Sequence, residues 1–570
     1  MIGRTTRKTG ERPLIFDDLR AIQRRHGYLP AKELQSLASQ TQTPLYHLQG
    51  LATFYPHFRL TPPPAVEVRL CDDFACHLNG AAELRRGIQA RLEGSGPAGV
   101  AVGGVSCLGR CDRPPAAAVN DRIVAGLTAE SLFSIIETVA RKGAVHEHEA
   151  EPASGPLLID PYAGRRPYDV LRDLLKTGNR AGVLATLKAA DLRGLGGAGF
   201  PAFAKWERVQ SAPGDEKYIV CNADESEPGT IKDRFLMDYV PHLVVEGMIV
   251  AGIVTGARTG IIYIRHEYEA QRETLAHELD RCRREGILGP SVLASGLSFD
   301  ISIFVSPGGY ICGEETALLE ALEGKRAEPR NKPPFPGVNG LYQKPTLINN
   351  VETLASVPAI LTNGAEWYRS RGQSGCNGLK FIGVTGHVTR PGVYEVPMGT
   401  PVRTVIYDYA GGISGGRRLK AFATSGCSSG FLPASMVGVA LDFKALADAG
   451  TMLGSSALVV CAEGTCMVDM ALNGLRFFRK ESCGKCVPCR VGSAKLVETL
   501  TRITEGKGTP RDLEPLPALS GTLALTSICG LGQMLARPIQ SVLAHFPDEV
   551  EQHVVHHRCP EGVCPMPSLS

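Results

Sequence analysis

The chain reads as an α/β protein of several domains, and three observations carry that expectation. β-branched runs alternate with stretches of helical apolar spacing, the pattern of sheets covered by helices. At 570 residues the chain exceeds what one hydrophobic core serves, since single cores stop growing near roughly 250–300 residues. Its 17 cysteines fall largely in spaced groups, which in a long chain points to metal ligation or redox chemistry rather than to disulfides.

From Ile15 to about Leu60 the apolar spacing is helical, and the segment stops in the Pro-rich stretch from Thr61 to Pro64. Val66 to Leu70 predicts a strand running into Cys71, Ala82 to Glu93 a helix, and Gly99 to Val105 a strand reaching Cys107. Charged and Pro-containing residues between about Lys142 and Gly155 predict a linker, and a Gly-rich α/β region runs on to about Thr362. Phe381 to Val384, Val393 to Val396 and Leu458 to Val460 predict a small β-rich domain, whereas Lys495 to Thr504 and Pro538 to His545 are helical.

With 61 basic and 58 acidic side chains, net +3, no single-sign field calls for nucleic acid or an anionic membrane. No uninterrupted apolar run reaches the ~18 residues of a membrane span, and Met1 to Leu14 is basic and polar without the apolar run of an export signal. A soluble, cytoplasmic protein is expected.

Cys71 and Cys76 form C-x4-C, and Cys107 and Cys111 form C-x3-C, each pair following a predicted strand. Four thiolates on two loops suit a [2Fe–2S] cluster; a structural zinc is the alternative, though its pairs are usually closer to C-x2-C. Cys483, Cys486 and Cys489 form C-x2-C-x2-C, with Cys529 far downstream, a set that suits a [4Fe–4S] cube. Cys559 and Cys564 follow His556 and His557 near the C-terminus, with Cys461 and Cys466 upstream. One His and three Cys would close a tetrahedral zinc site; thiols of a frayed tail are the alternative.

Gly194-Leu-Gly196-Gly197-Ala-Gly199-Phe200 contains G-x-G-x-x-G, which lets backbone N–H groups approach a phosphate. The preceding Val183 to Leu192 is helical, whereas an ordinary Rossmann loop follows a strand. Tyr218 to Thr230 runs off a strand into Asp224, Glu225 and Glu227, and a second acidic pair, Glu314 and Glu315, follows a glycine turn at Gly308 to Gly313. Carboxylates at the end of an apolar strand lie where α/β proteins place ligand sites.

At these residues the chain resembles the NADH-oxidising flavoprotein subunit of respiratory complex I, fused behind its thioredoxin-like [2Fe–2S] partner. The same fusion occurs in diaphorase subunits of NAD-linked molybdenum or tungsten formate dehydrogenases and of soluble hydrogenases. The resemblance rests on Arg193 to Pro201 with Lys205 and Trp206, Cys221 to Thr230, Tyr310 to Thr316, Lys332 to Pro336, Asn349 to Thr353 and Glu481 to Gly492, in order from about residue 20 to 545.

The resemblance implies a helical plus thioredoxin-like [2Fe–2S] domain at 1–150, a Rossmann-like FMN- and NADH-binding domain at 151–375, and a β-grasp domain of the SLBB type at 376–460. A helical bundle carrying the [4Fe–4S] cluster at 461–551 and a tail at 552–570 complete it. It implies that Gly194, Gly196 and Lys205 hold the FMN phosphate region and that Asn222, Asp224, Gly313, Asn349, Asn350 and Thr353 line FMN. Phe200 and Phe335 would stack on the nicotinamide nucleotide. Glu225, Glu227, Tyr310, Glu314 and Glu315 would surround it, with Glu227 and Tyr310 at the catalytic centre.

Carboxylates near a ribose 2′-OH repel the extra phosphate of NADP, so NAD(H) is expected. Arg208 stands where the family often has an apolar or aromatic residue. The tail is similar to a zinc-binding one in electron-bifurcating hydrogenase diaphorases, which implies Cys466, His556, Cys559 and Cys564 as ligands.

The expected function is exchange of hydride between NAD(H) and FMN and of single electrons between FMN and the clusters. The partner is a catalytic subunit, with a molybdopterin formate dehydrogenase favoured over a hydrogenase or complex I. A structural or redox-sensing iron–sulfur scaffold is the reading from a different class, and intact Lys205, Asn222, Glu225 and Glu315 argue against it.

Overall fold

The computed structural model describes residues 15–143, 155–162 and 166–566, so most of the expected linker lies outside the described residues. Three helices, Ile15–His26, Ala31–Thr41 and Leu45–Phe54, open the chain. The first buries Phe16, Leu19 and Ile22 on one face, as helical spacing requires. That face packs on the central domain: the rings of Phe16 and Phe304 lie 6.3 Å apart, and the Tyr55 hydroxyl donates to the Lys325 carbonyl at 2.6 Å.

The first sheet contains β1 (Val66–Cys71), β2 (Val100–Val105), β3 (Ala116–Val119) and β4 (Arg122–Ala125) in the order β2-β1-β3-β4. β1 and β2 run parallel across the helix Ala81–Ser95, and the β3–β4 hairpin continues the sheet antiparallel. This is the expected thioredoxin-like arrangement. Cys71 ends β1, and Cys107 and Cys111 follow β2, so both cysteine pairs emerge at the same end of a parallel strand pair.

The second sheet, β5 (Tyr218–Ala223), β6 (Thr259–Ile264), β7 (Asp300–Val305) and β8 (Thr346–Asn350), is wholly parallel in the order β7-β6-β5-β8. The chain steps outward from β5 to β7 and then returns to the other side of β5. The reversal opens a crevice beyond the carboxyl ends of β5 and β8, where open α/β sheets bind ligands. Helix Pro241–Thr255 is apolar apart from His242 and Glu246 and is buried from Leu243 to Thr255, so it serves as the core of this domain. Among the described residues no single helix is long and apolar enough to cross a membrane.

The third sheet contains β9 (Leu379–Gly386), β10 (Gly392–Pro397), β11 (Leu419–Ala423), β12 (Leu432–Pro433) and β13 (Ala457–Ala462) in the order β10-β9-β13-β11-β12. Its two parallel strands, β9 and β13, are buried along their whole length, which is why they read as continuous apolar runs. Buried charges join this sheet to the second domain. Lys232 Nζ lies 2.6 Å from Asp233 and 2.9 Å from Glu352, and Lys380 of β9 pairs with the same Glu352. The helices Met467–Glu481, Val487–Thr504, Leu516–Thr526, Arg537–His545 and Pro547–Val554 form the helical end.

Candidate functional site

A cavity of about 600 Å³ fills the crevice between β5 and β8. Asn222 from the end of β5 and Asn349 and Asn350 from the end of β8 form its floor, in register because Asn222 pairs with Asn350 across the two strands. Opposite them runs the glycine loop, with Gly194, Gly196, Gly197 and Ala198 on the wall. This loop joins two helices, Arg180–Ala189 and Ala202–Ser211, and does not follow a strand. A Cβ at Gly196 would come within 2.7 Å of the Asn350 side chain, so the close approach of loop to strand requires glycine. The loop is pinned by Thr353, whose hydroxyl accepts from the Leu195 N–H at 2.9 Å.

The donor chemistry of this cavity fits a phosphorylated flat cofactor. Gly194 and Gly199 spend their N–H groups inside the loop, whereas those of Gly196, Gly197 and Ala198 make no hydrogen bond among the described residues. Free amides on a glycine loop suit phosphate oxygens. Asn222 donates to the Gly313 carbonyl at 2.8 Å, and Asn349 accepts from Trp206 Nε1 at 2.9 Å, so both carboxamides are fixed in orientation.

Lys205 lies 3.0 Å from Glu315, and Lys332 lies 3.0 Å from Glu314 and 3.1 Å from Glu315. Glu314 also caps the helix Glu315–Leu322 by accepting from the Thr316 and Ala317 N–H groups. Phe200 and Phe335 stand at the mouth, 47% and 45% exposed although both are large aromatic rings, which leaves their faces open to a planar ligand.

Four of the expected residues are not brought to this cavity. Asp224 and Glu225 lie buried behind its wall, and burial pushes both up to about 7. Glu225 accepts from the Asp233 and Arg234 N–H groups and from the Tyr268 hydroxyl, so its oxygens are spent on protein. Glu227, also pushed up to about 7 by burial, accepts from the Tyr310 hydroxyl at 2.6 Å and from the Ser428 N–H and hydroxyl. Tyr310 donates its N–H to Glu481 at 2.7 Å, two residues before Cys483.

The first four cysteines meet in one buried pocket. Cys107 and Cys111 are 3.3 Å apart at sulfur, and hydrogen bonds from Cys111 and Cys71 draw the Cys107 thiol well below its ordinary range. Cys71 bonds in turn to Cys76. The second domain grips this pocket through its backbone: Gly229 N–H donates to Cys111 sulfur at 3.3 Å, and Arg234 and Arg265 donate to the Gly109 and Cys107 carbonyls. Cys483, Cys486, Cys489 and Cys529 line a second, smaller pocket closed by Ile311, Pro329 and Leu531.

The third group is a candidate four-ligand metal site, with one correction to its expected ligands. Cys466, His553, Cys559 and Cys564 place one ligand atom each within 4.8 Å of all the others, and all four are buried. His553 Nε2 is 3.4 Å from both Cys466 and Cys564 sulfurs, while Nδ1 is held 2.7 Å from the Glu549 carbonyl, which leaves Nε2 as the ligand atom. His556, the histidine expected there, is exposed beyond the end of the helix and stays outside the group. The closed set of one nitrogen and three sulfurs fits a structural zinc. Cys461 is buried in β13 and takes no part.

A nucleotide-sized crevice at a parallel sheet's switch point, flanked by two iron–sulfur pockets, defines a modular electron-transferring flavoprotein. Four family models match the chain in the corresponding order: Thioredoxin-like [2Fe-2S] ferredoxin over residues 4–140, Nuo51 FMN-binding domain over 187–359, SLBB domain over 381–430 and NADH-ubiquinone oxidoreductase-F iron-sulfur binding region over 469–553. The chain belongs to the family of the NADH-quinone oxidoreductase F subunits and is an NADH dehydrogenase or diaphorase-type oxidoreductase subunit carrying FMN, [2Fe–2S] and [4Fe–4S] sites.

It is 44% identical to the NADP-reducing hydrogenase subunit HndC of Solidesulfovibrio fructosivorans over 72% of this chain and 83% of that one. It is also 44% identical to the F 2 subunit of the NADH-quinone oxidoreductase of Rhizobium meliloti over 71% of this chain and 96% of that one. A chain of an NAD⁺-reducing [NiFe]-hydrogenase in the air-oxidized state superposes with a TM-score of 0.84 at 32% identity, covering 94% of this chain and 93% of that one.

Proposed function

We propose that the chain is the diaphorase module of an NAD-linked complex whose catalytic partner is a molybdopterin formate dehydrogenase, and that it exchanges electrons between NAD(H) and that partner. The observation that carries the diaphorase reading is the turn Tyr310–Gly313. Gly313 lines the large cavity and Ile311 lines the four-cysteine pocket, so a single turn of chain separates the two. FMN, when bound, supplies two-electron exchange with nicotinamide and one-electron exchange with clusters.

The chain's own residues then orient and enclose. The free amides of Gly196, Gly197 and Ala198, together with Lys205, hold the phosphate end of FMN, and Gly194 shapes the loop. Asn222, Asn349 and Asn350 fix the ring edges, with Thr353 anchoring the loop against them. Phe200 and Phe335 stack on the nucleotide, and Glu314 and Glu315 hold ribose hydroxyls. Asp224, Glu225, Glu227 and Tyr310 act from behind the wall as positioning residues.

Val487, Val491 and Leu525 are 59%, 49% and 87% exposed and lie close in sequence to Cys486, Cys489 and Cys529, exposed apolar side chains suited to a protein partner. Formate is favoured on the resemblance of the fused thioredoxin-like and flavin domains to soluble formate dehydrogenase diaphorases, an architecture that soluble hydrogenase diaphorases share. A hydrogenase partner is the second reading, supported by the match to an NAD⁺-reducing hydrogenase chain along nearly the whole length.

Purification of the full chain with its native partner tests the proposal. Molybdenum or tungsten in the co-purified protein with formate-dependent NAD⁺ reduction is expected. Nickel with hydrogen-dependent reduction would favour the second reading, and a partner with no redox centre would overturn both.

A further inference from the structure

The large cavity carries three cations and two carboxylates on its wall. Lys205 is engaged by Glu315, and Lys332 by both Glu314 and Glu315. Arg208 is not: it makes no ion pair among the described residues, and its guanidinium stands 5.9 Å from the centre of the Phe335 ring. Its stem passes close to Gly337, where a Cβ would meet it at 3.2 Å, so the exposed side chain follows the cavity rim. The helix Ala202–Ser211 that carries Arg208 also carries Lys205 and Trp206, which ties the rim to the cavity floor through Asn349.

We infer that Arg208 binds a phosphate of the nicotinamide dinucleotide, a reading that rests on the nucleotide site proposed above. An unpaired guanidinium beside an aromatic face can lie against a base or ring while its N–H fork takes phosphate oxygens, a task for which arginine is suited. The shared chemistry is a phosphate group, and two sources offer it: the pyrophosphate of either dinucleotide, or the 2′-phosphate that distinguishes NADP(H) from NAD(H). With Glu315 charge-balanced by two lysines, carboxylate repulsion of a 2′-phosphate is weakened, which admits the 2′-phosphate as the second source.

The test uses the full, cofactor-loaded chain and compares wild type with Arg208→Ala and Arg208→Lys, reading KM for NADH and for NADPH with an artificial acceptor. Calorimetric dissociation constants for ADP-ribose and 2′-phospho-ADP-ribose provide a readout independent of turnover. Loss of one charge-assisted hydrogen bond is expected to weaken binding by about tenfold or more. Equal weakening of both ligands in Arg208→Ala identifies the pyrophosphate, and weakening confined to NADPH and 2′-phospho-ADP-ribose identifies the 2′-phosphate. Arg208→Lys should recover part of the loss.

FMN content, read by absorbance, should not change. Unaltered constants for all four ligands in Arg208→Ala would overturn the inference while leaving the nucleotide site standing. A wild-type chain that binds none of the four would overturn the site itself and this inference with it.

Discussion

Replacing Cys489 by serine is expected to abolish electron delivery to the partner while the chain keeps most of its NADH-to-dye activity. Cys489 sits in the first turn of the helix Val487–Thr504 and shares one pocket with Cys483, Cys486 and Cys529. A cube of four irons takes one thiolate at each, and a serine hydroxyl is a much poorer ligand. The flavin cavity lies on the other side of the Tyr310–Gly313 turn and uses none of these cysteines, so dye reduction should survive. Loss of the [4Fe–4S] signal with partner-coupled turnover at background, in electron paramagnetic resonance and steady-state assays on the intact complex, is the expected result. Full coupled turnover would mean that electrons leave by another path.

Replacing His553 by alanine is expected to remove about one zinc per chain, whereas His556→Ala should remove none. His553 is buried and places Nε2 at 3.4 Å from two of the three sulfurs, while His556 is exposed. Hydrogen bonds from Cys466 and Cys564 hold the Cys559 thiol far below its ordinary range. Because structural zinc contributes its binding free energy to folding, His553→Ala should also loosen the tail and lower the unfolding temperature. The neighbouring network would limit that loss, since Lys420 pairs with both Glu549 and Glu561 and still ties the last helix to the third sheet. Metal analysis and thermal unfolding of the two variants decide between the histidines. Equal zinc in both variants would mean that the tail packs on the body without a metal held by His553.

The difference between these two histidines shows what was legible in the sequence. His556 lies close to Cys559 in the chain, but ligand geometry is set in space. Val550, His553 and Val554 recur at helical spacing on the buried face of Pro547–Val554, and that periodicity was the available signal for His553. The cysteine groups of both cluster sites were legible because thiolates at such tight spacing seldom serve anything but iron or zinc. The strands β1, β2, β9, β10 and β13 were legible too, and their apolar runs sit where the structure places them.

The β3–β4 hairpin was missed because Ala116 to Val119 carries almost no β-branched signal. Its turn, Asn120-Asp121, holds both residues at positive φ, 47° and 66°, and that dipeptide was the clue. Asp224, Glu225 and Glu227 read as a ligand-facing strand end, but none of them reaches the cavity: Glu225 is consumed by the Asp233 and Arg234 N–H groups and Glu227 by Tyr310 and Ser428, partners that for Glu227 lie remote in sequence.

The central claim is that one chain accepts electrons from NADH at a flavin and passes them to two clusters of its own. Anaerobic titration of the purified full-length chain with NADH tests it most directly, followed in parallel by flavin absorbance and electron paramagnetic resonance. Bleaching of a stoichiometric flavin together with two distinct cluster signals, one lost in Cys489→Ser and the other in Cys107→Ser, is the predicted result. A chain that retains no flavin, or whose flavin bleaches while the Cys71, Cys76, Cys107 and Cys111 site holds zinc and shows no signal, would contradict it.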